Sequence, residues 1–259
     1  MAAVASLKVP VLMYHEVADV TATPSGLAVA PQAFADQLAY LRDAGFTAVT
    51  AGALAKILAD GAGELPERPV VLTFDDGYAD FHSRALPLLK QYGHTATLFQ
   101  TTGWVDTMLG SRRMLNWCEL SEIAEAGIEI GAHSQGHPEF DRLSDDKLRD
   151  ELEGPKRMIE DKLGFAVPGL AYPFGLWNKK VRRAAREADY AYAYAVSSAM
   201  ATSGSDVFTL PRLTVQRTTT MERFGLMVSG QDSLPLRLDR AVSRASNVMR
   251  RAKVGLRIA

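Results

Sequence analysis

The chain has 259 residues, of which 47% are hydrophobic and 23% charged, so it can form one large α/β domain or two small ones with a substantial core. The net charge of −1 gives no argument for nucleic-acid binding, and the single cysteine excludes an internal disulfide framework and disfavours a thiolate zinc site. That residue, Cys118, is expected to be a half-buried helix residue. No apolar run spans 18 residues, and residues 1–11 lack an apolar segment of signal-peptide length. We therefore expect a cytoplasmic protein, unless a leader has been removed.

Strands and helices alternate along the chain with short links and without a sequence repeat. Apolar runs predict strands at residues 10–17, 46–50, 70–76, 95–99, 128–133, 169–175 (ending in a tight turn), 190–196 and 208–215. Helical spacing, with Pro31 and Ser144 at two starts and glycines at the stops, predicts helices from Pro31 to the stop at Gly45 and at 51–59, 78–91, 116–126, 144–163 and 178–188. About seven such units predict an α/β fold, a single distorted, TIM-like (β/α) barrel over residues 1–235.

Two adjacent acids end the strand that begins at Val70. Asp75 and Asp76 follow an apolar run and precede Gly77. The C-terminal edge of a parallel sheet is where α/β folds place their chemistry, and a glycine turn there breaks the alternation of side chains. Because neighbouring carboxylates repel each other, we expect a cation to bind one of them and the other to act as a base. An acidic turn in which Asp76 only caps the next helix is the alternative.

A histidine pair follows another predicted strand, in the segment His133-Ser134-Gln135-Gly136-His137. Gly136 and the following proline place this pair on a turn beyond the strand. Two imidazoles and one carboxylate form a three-ligand set with a position left for water, which is typical of catalytic zinc sites. Two solvent-facing loop histidines are the alternative, but the acid pair at another strand end favours the metal site.

Together these segments resemble a known family. Thr73-Phe74-Asp75-Asp76-Gly77 and the segment 133–137 are similar to the first two motifs of the polysaccharide deacetylase family (the NodB homology domain, carbohydrate esterase family 4). Residues 171–175 resemble its third motif and residues 210–213 a late segment, so the resemblance covers about residues 10–215. The arrangement is most similar to the subgroup that acts on poly-N-acetylglucosamine-like exopolysaccharides.

The resemblance implies a role for each motif residue. Asp76, His133 and His137 would bind a divalent metal, usually zinc, with Co²⁺, Ni²⁺ or Mn²⁺ as alternatives. Asp75 would be the general base that takes a proton from metal-bound water, and the backbone N–H of Phe174 would help form the oxyanion hole. These roles suit amide hydrolysis, because a metal polarises the carbonyl and lowers the pKa of its water toward about 7.

The general acid departs from the family pattern. The third motif usually begins with an arginine that tunes a late catalytic histidine; here Ala171 takes that place, and no histidine follows the second motif. Of the remaining histidines, His82 and His94 lie within or just after a predicted helix, whereas His15 lies at the C-terminal end of a strand. We therefore assign His15 as the general acid. A buried structural histidine, bonded to Glu16 or to backbone, is the alternative.

Four residues are predicted to contact the substrate: Tyr172, Pro173, Trp177 and Arg212. Trp177 has two interpretations, a stacking platform for a sugar ring and a packing residue at the barrel rim. Arg212 has two other interpretations besides substrate contact: it orients Asp75 by a charge-assisted hydrogen bond, or it caps the bottom of the barrel.

The C-terminal segment 236–259 differs in composition. It carries seven basic residues and one acidic residue, with apolar residues at alternating steps of four and three. This pattern predicts a basic amphipathic helix. Such a helix can contact an anionic membrane surface, mediate homodimerisation or dock on its own barrel.

The expected function is that of a metal-dependent hydrolase that removes N-acetyl groups from N-acetylglucosamine-type residues of an exopolysaccharide or adhesin glycan, a holdfast polysaccharide being one example. A deacylase or deformylase of a lipid-linked amino sugar is an alternative that shares every catalytic residue. A catalytically inactive glycan-binding module is a second alternative, kept open by the missing late histidine and by Ala171.

Overall fold

The computed structural model describes residues 7–21, 23 and 25–230. The strands in these residues are β1 (Lys8–Val9), β2 (Val11–Tyr14), β3 (Glu16–Val17), β4 (Ala28–Val29), β5 (Thr47–Val49), β6 (Pro69–Asp76), β7 (Thr97–Gln100), β8 (Met108–Leu109), β9 (Arg112–Arg113), β10 (Glu129–Ala132), β11 (Gly169–Ala171), β12 (Tyr192–Tyr194), β13 (Ala201–Thr202) and β14 (Leu213–Thr214). The α-helices are α1 (Pro31–Asp43), α2 (Ala51–Asp60), α3 (Leu86–Tyr92), α4 (Trp117–Glu125), α5 (Asp145–Leu163), α6 (Lys179–Glu187) and α7 (Met221–Ser229).

Seven strands form one curled parallel sheet in the order β12–β11–β10–β7–β6–β2–β14. The short strand β5 pairs with the first part of β6. A parallel bridge between Tyr194 and Leu210 brings the segment that enters β14 against β12, so the two ends of the sheet approach each other. This arrangement confirms the predicted α/β fold, a distorted (β/α) barrel of about seven strands.

Strand β6 shows how the sequence pattern divides the core. Alternate residues of a strand point to opposite faces of the sheet. Val70, Leu72 and Phe74 belong to the large cluster that the strands share with the helices. Val71 instead belongs to a second cluster that faces the barrel interior. Asp75 follows Val71 with the same two-residue period, so the buried strand delivers a carboxylate to the inside of the barrel.

Some element boundaries differ from the predictions. The helix predicted at 78–91 begins only with a π-helical turn at Phe81–Ala85, because Tyr78 pairs with Met114 in an antiparallel bridge. The strands predicted at 190–196 and 208–215 shorten to β12 and β14, and the hairpin β8–β9 and helix α7 were not predicted. Cys118 lies on α4, as expected, but it is exposed rather than half-buried.

Among the described residues, no helix has the length and apolar character needed to cross a membrane. The basic segment 236–259 and the proposed boundary at residue 235 lie outside the described residues. The amphipathic helix, membrane contact and dimerisation therefore remain predictions from the sequence.

Candidate active site

The candidate site lies where neighbouring parallel strands end. Asp75 and Asp76 finish β6, His15 follows β2, and the segment containing His133 and His137 follows β10. All five side chains line one cavity of about 500 Å³. Tyr78, Trp104, Phe174, Leu27 and other residues complete its wall. Residues far apart in sequence are thus gathered at one edge of the sheet, as in other parallel α/β folds.

The backbone at Asp76 explains how two consecutive acids face the same cavity. In a regular strand they would point to opposite faces. Asp76 instead has a φ of 76° and Gly77 a φ of 92°, both in the left-handed region. A Cβ on Gly77 would overlap the side-chain amide of Gln100. Only glycine therefore fits the turn that brings both acids into the site.

Asp76, His133 and His137 form a candidate cation site. One ligand atom from each lies within 4.8 Å of the others. Asp76 Oδ1 is 3.5 Å from His133 Nε2 and 3.4 Å from His137 Nε2. Among the described residues, this buried oxygen has no hydrogen-bond partner. An uncompensated buried carboxylate oxygen facing two imidazole nitrogens suits a divalent cation.

The tautomer of His133 is fixed by its other ring nitrogen. His133 Nδ1 donates a hydrogen bond to the Ala171 carbonyl oxygen at 2.8 Å. Because a carbonyl can only accept, Nδ1 carries the proton and Nε2 presents its lone pair to the two acids. The third motif therefore contributes a backbone carbonyl that orients a candidate ligand, and metal-binding histidines usually have an outer contact of this kind.

His137 is held by a tight turn and two aromatic rings. Its backbone N–H donates to Ser134 Oγ at 2.8 Å, and both residues have positive φ. The imidazole stacks on Trp104, with ring centroids 5.1 Å apart, and meets the edge of Phe174 at 4.6 Å. The turn and the rings together direct Nε2 toward Asp76.

Asp75 is held apart from this donor set by Arg212. The guanidinium donates to both carboxylate oxygens, at 2.6 Å and 2.8 Å, and to Thr73 Oγ1 and the Ala195 carbonyl. Arg212 is fully buried. Asp75 Oδ2 still lies 3.9 Å from His133 Nε2, so the carboxylate borders the candidate cation site. Each carboxylate oxygen keeps a second lone pair with which it can accept a proton.

The two acids have opposite electrostatic environments. Burial raises the pKa of Asp75, but the Arg212 charge and nearby imidazoles outweigh it, and the pKa falls to about 2. Burial and the charge of Asp75 raise the pKa of Asp76 to about 8. Burial lowers the pKa of His133 to about 3 and also lowers that of His137, so both imidazoles are neutral at pH 7. Neutral imidazoles are the form that binds metals.

His15 lies half-buried in the same cavity. Its Nδ1 atom has no hydrogen-bond partner among the described residues, and burial lowers its pKa to about 4. Glu16, its alternative partner, instead accepts a hydrogen bond from Arg112 at 2.9 Å. His82 pairs with Glu122, and His94 contacts the Leu38 carbonyl, both outside this cavity.

The structure places most of the predicted substrate contacts in buried or core-packed positions. Tyr172 is fully buried and its hydroxyl donates to the Phe208 carbonyl at 2.9 Å, so its side chain faces the core rather than a ligand. Pro173 is also buried. Trp177 packs against the hydrophobic core, in line with the rim interpretation. Arg212 orients Asp75 and, being fully buried, is not placed to contact substrate.

The sequence did not assign a role to Trp104, which stacks on His137, or to Ser134, which supports the turn. Both roles depend on contacts across the turn, which no motif spacing reveals. A serine immediately after the first histidine was the one available signal, since serine hydroxyls often accept backbone N–H groups within turns.

A larger cleft of about 710 Å³ lies elsewhere, bordered by α2 and the starts of β10 and β12. Its lining is mainly apolar. Glu129 in this cleft accepts hydrogen bonds from the Gly52 N–H and the Tyr192 hydroxyl. The larger cleft therefore lacks the convergent donor set of the smaller cavity.

Comparisons with known proteins agree with this geometry. The Bacillus subtilis protein YxkH is 26% identical over 221 residues, covering 85% of this chain and 76% of that protein. The poly-β-1,6-N-acetyl-D-glucosamine N-deacetylase of Escherichia coli K12 is 29% identical over 135 residues, covering 48% of this chain but only 20% of the enzyme. The solved deacetylase PplD of Streptococcus pyogenes, in complex with acetate, superposes with a TM-score of 0.78 at 25% identity, covering 86% of this chain and 99% of that one. The polysaccharide deacetylase family model matches residues 62–193, about half of the chain. The chain therefore belongs to the polysaccharide deacetylase family.

Proposed function

We propose that this protein is a metal-dependent N-deacetylase that hydrolyses the N-acetyl groups of N-acetylglucosamine-type residues in a polysaccharide. The observation that carries the proposal is the division of the two adjacent acids. Asp76 faces two neutral imidazoles, whereas Asp75 is paired with Arg212 beside them. This division supports a role for Asp76 as a cation ligand and for Asp75 as a proton-transfer group.

The residues present suit a divalent cation, because two imidazole nitrogens and one carboxylate oxygen form an open three-ligand set. Asp76, His133 and His137 would hold it. When bound, it would polarise the amide carbonyl and acidify a water molecule. The same ligand set suits zinc and other divalent ions, and zinc is the first metal to test.

Asp75 would act as the general base. Arg212 keeps this carboxylate ionised at neutral pH, which is the form that accepts a proton. A carboxyl with a pKa near 2 is a weak base, so it requires an unusually acidic water as its partner. The bidentate contact with Arg212 also fixes the orientation of the carboxylate toward the cavity.

His15 would donate a proton to the departing amine. At rest its imidazole is neutral, because burial lowers its pKa to about 4. The negative charge of Asp75 raises the pKa of His15. Negative charge that develops on the substrate would favour the protonated imidazole further. His15 would thus take up the proton that Asp75 removed from water, which returns Asp75 to its ionised form, and would then release that proton to the leaving nitrogen.

The rest of the cavity would hold the acyl group and the sugar. Phe174 lines the cavity and has a φ of 58°, and its backbone N–H would stabilise the oxyanion. The Phe174 side chain is 48% exposed, and Trp104 lies beside His137. Aromatic faces at the cavity mouth would suit the apolar face of a sugar ring.

The relatives support the choice of substrate. The Escherichia coli relative deacetylates poly-β-1,6-N-acetyl-D-glucosamine, according to its name, and the Streptococcus pyogenes relative is a deacetylase solved with acetate, the expected product. This chain spans about a fifth of the length of the former. A β-1,6-linked N-acetylglucosamine oligomer is therefore the first substrate to test.

The test measures acetate release from such oligomers by zinc-loaded protein. We expect release to fall by at least about 10²-fold in Asp75→Asn and in His15→Ala, because each loses a proton-transfer group. His82→Ala serves as the matched control, since His82 pairs with Glu122 outside the cavity.

Unchanged release in Asp75→Asn would contradict the proposed base, and unchanged release in His15→Ala would contradict the proposed acid. If wild-type protein binds the oligomer without releasing acetate, with or without added metal, the glycan-binding alternative replaces the enzyme. Release of an acyl or formyl group only from a lipid-linked amino sugar would support the deacylase or deformylase alternative.

A further inference from the structure

The turn that carries the two histidines receives a carboxylate from the helical layer. Glu151 on α5 accepts the backbone N–H groups of Gln135, at 2.8 Å, and Gly136, at 2.9 Å, through the same oxygen, Oε2. Ser134 has a φ of 70° just before them. A left-handed residue in such a turn makes successive N–H groups converge, and this forms a small anion-binding concavity. Glu151 fills it.

The other contacts of the turn leave these two N–H groups to Glu151. The backbone N–H groups of Thr102 and Gly103 donate to the carbonyls of Ser134 and Gln135, at 3.1 Å and 2.9 Å. These hydrogen bonds fix the carbonyl groups of the turn from its other side. A Cβ on Gly103 would overlap the Gln135 carbonyl, so this approach is close. The turn is therefore held between the 102–104 segment and α5.

The position of His137 depends on this clamp. His137 follows Gly136 directly and itself has a φ of 59°. Its Nε2 must stay near Asp76 Oδ1, 3.4 Å away, for the donor set to persist. Helix α5 is 19 residues long, so Glu151 reaches the turn from a regular element rather than from another loop.

We propose that Glu151 is a positioning residue for the candidate metal centre. It acts through the Gln135 and Gly136 N–H groups to hold His137 in its ligating geometry. This inference rests on the proposed function, because it assumes that Asp76, His133 and His137 bind the cation. Without the carboxylate, two backbone donors lose their acceptor and the turn relaxes, which separates His137 from the other two ligands.

The test compares Glu151→Ala and Glu151→Gln with Asp150→Ala as a matched control. Asp150 is an exposed acid one position earlier on α5. The dissociation constant for Zn²⁺ is measured by competition with a chromophoric chelator, and the visible spectrum of the Co²⁺ form reports the coordination geometry. The melting temperature of each metal-free protein is measured alongside, to record any loss of stability separately.

We expect Glu151→Ala to weaken Zn²⁺ binding roughly 10- to 100-fold, as is common when an outer contact of a metal site is lost. The Co²⁺ spectrum should change as well. Glu151→Gln keeps an oxygen that can accept both N–H groups, so it should recover most of the affinity. Asp150→Ala should match wild type.

Two results would overturn the inference. The first is that Glu151→Ala has the same Zn²⁺ affinity and the same Co²⁺ spectrum as Asp150→Ala. This result would show that the turn does not need this carboxylate, even if the melting temperature of Glu151→Ala fell. Loss of affinity in Glu151→Gln as large as in Glu151→Ala would reject the hydrogen-bond mechanism. Failure of the proposed function would be recognised separately, because the Zn²⁺ affinity of the wild-type protein would then not depend on Asp76.

Discussion

Replacing Arg212 by methionine should destabilise the metal-free protein in a pH-dependent way. The substitution keeps an unbranched chain but leaves the buried Asp75 carboxylate without its counter-charge. Removing one partner of a buried ion pair costs about 3–5 kcal/mol of unfolding free energy. Arg212 is fully buried and donates to both Asp75 oxygens, so the upper part of that range applies.

The pH dependence follows from the pKa of Asp75. In wild type it lies at about 2, below the ordinary value of 3.8, so the stabilisation is present above pH 3.8 and is lost as the pH falls toward 2. Each pKa unit corresponds to about 1.36 kcal/mol, which makes this contribution on the order of 2 kcal/mol. Without Arg212, burial raises the pKa of Asp75 above its ordinary value. Stability of the variant then decreases as the pH rises through that new pKa.

The assay is urea denaturation of metal-free wild type and Arg212→Met between pH 5 and 8. Because the pKa of Asp76 depends on the charges of Asp75 and Arg212, both proteins are compared in an Asp76→Asn background, which removes its contribution from the difference. We expect the difference in unfolding free energy to grow with pH. Arg183→Met, which removes a surface cation paired with Glu187 at 3.4 Å, should cost less than about 1 kcal/mol at every pH.

A double variant completes the cycle. Asp75→Asn combined with Arg212→Met removes the lone buried charge, so its cost should be well below the sum of the two single costs. Additive single costs, or a difference in unfolding free energy that does not change with pH, would refute the reasoning about this ion pair.

Three further predictions concern the same region. Metal-free Asp76 has a pKa raised to about 8, so Zn²⁺ binding at pH 7 should release close to one proton. Calorimetry in two buffers of different ionisation enthalpy measures the number of protons released. A release near zero would contradict the raised pKa. Gly77→Ala should lower the unfolding free energy by about 2 kcal/mol or more, because the added Cβ would overlap Gln100. Gly110 also has a positive φ but lies in open space, so Gly110→Ala should cost only about 1 kcal/mol. Equal costs for the two variants would contradict the steric argument. Tyr172→Phe should cost about 1 kcal/mol in denaturation while leaving KM for the oligomer unchanged; a raised KM would restore Tyr172 as a substrate contact.

The sequence predicted more of the fold than of the cavity wall. Strand β6 was recognisable because a buried parallel strand is apolar on both faces and ends abruptly in acids. The helix after it was misplaced, since Tyr78 pairs with the distant Met114 and delays the first helical turn. Strands of two residues, such as β8 and β9, carry too little pattern to be distinguished from loop.

The sequence by itself determined the parallel α/β architecture, the family, and the residue types that gather at the strand ends. These follow from short-range periodicity and from motifs in which neighbouring residues act together. Only the tertiary structure decided that Arg212 binds Asp75, that Tyr172 turns into the core, and that Glu151 supports the histidine turn. Arg212 and Asp75 are 137 positions apart. Such contacts depend on how strands and helices are brought together, and no local pattern encodes the direction in which one side chain meets another.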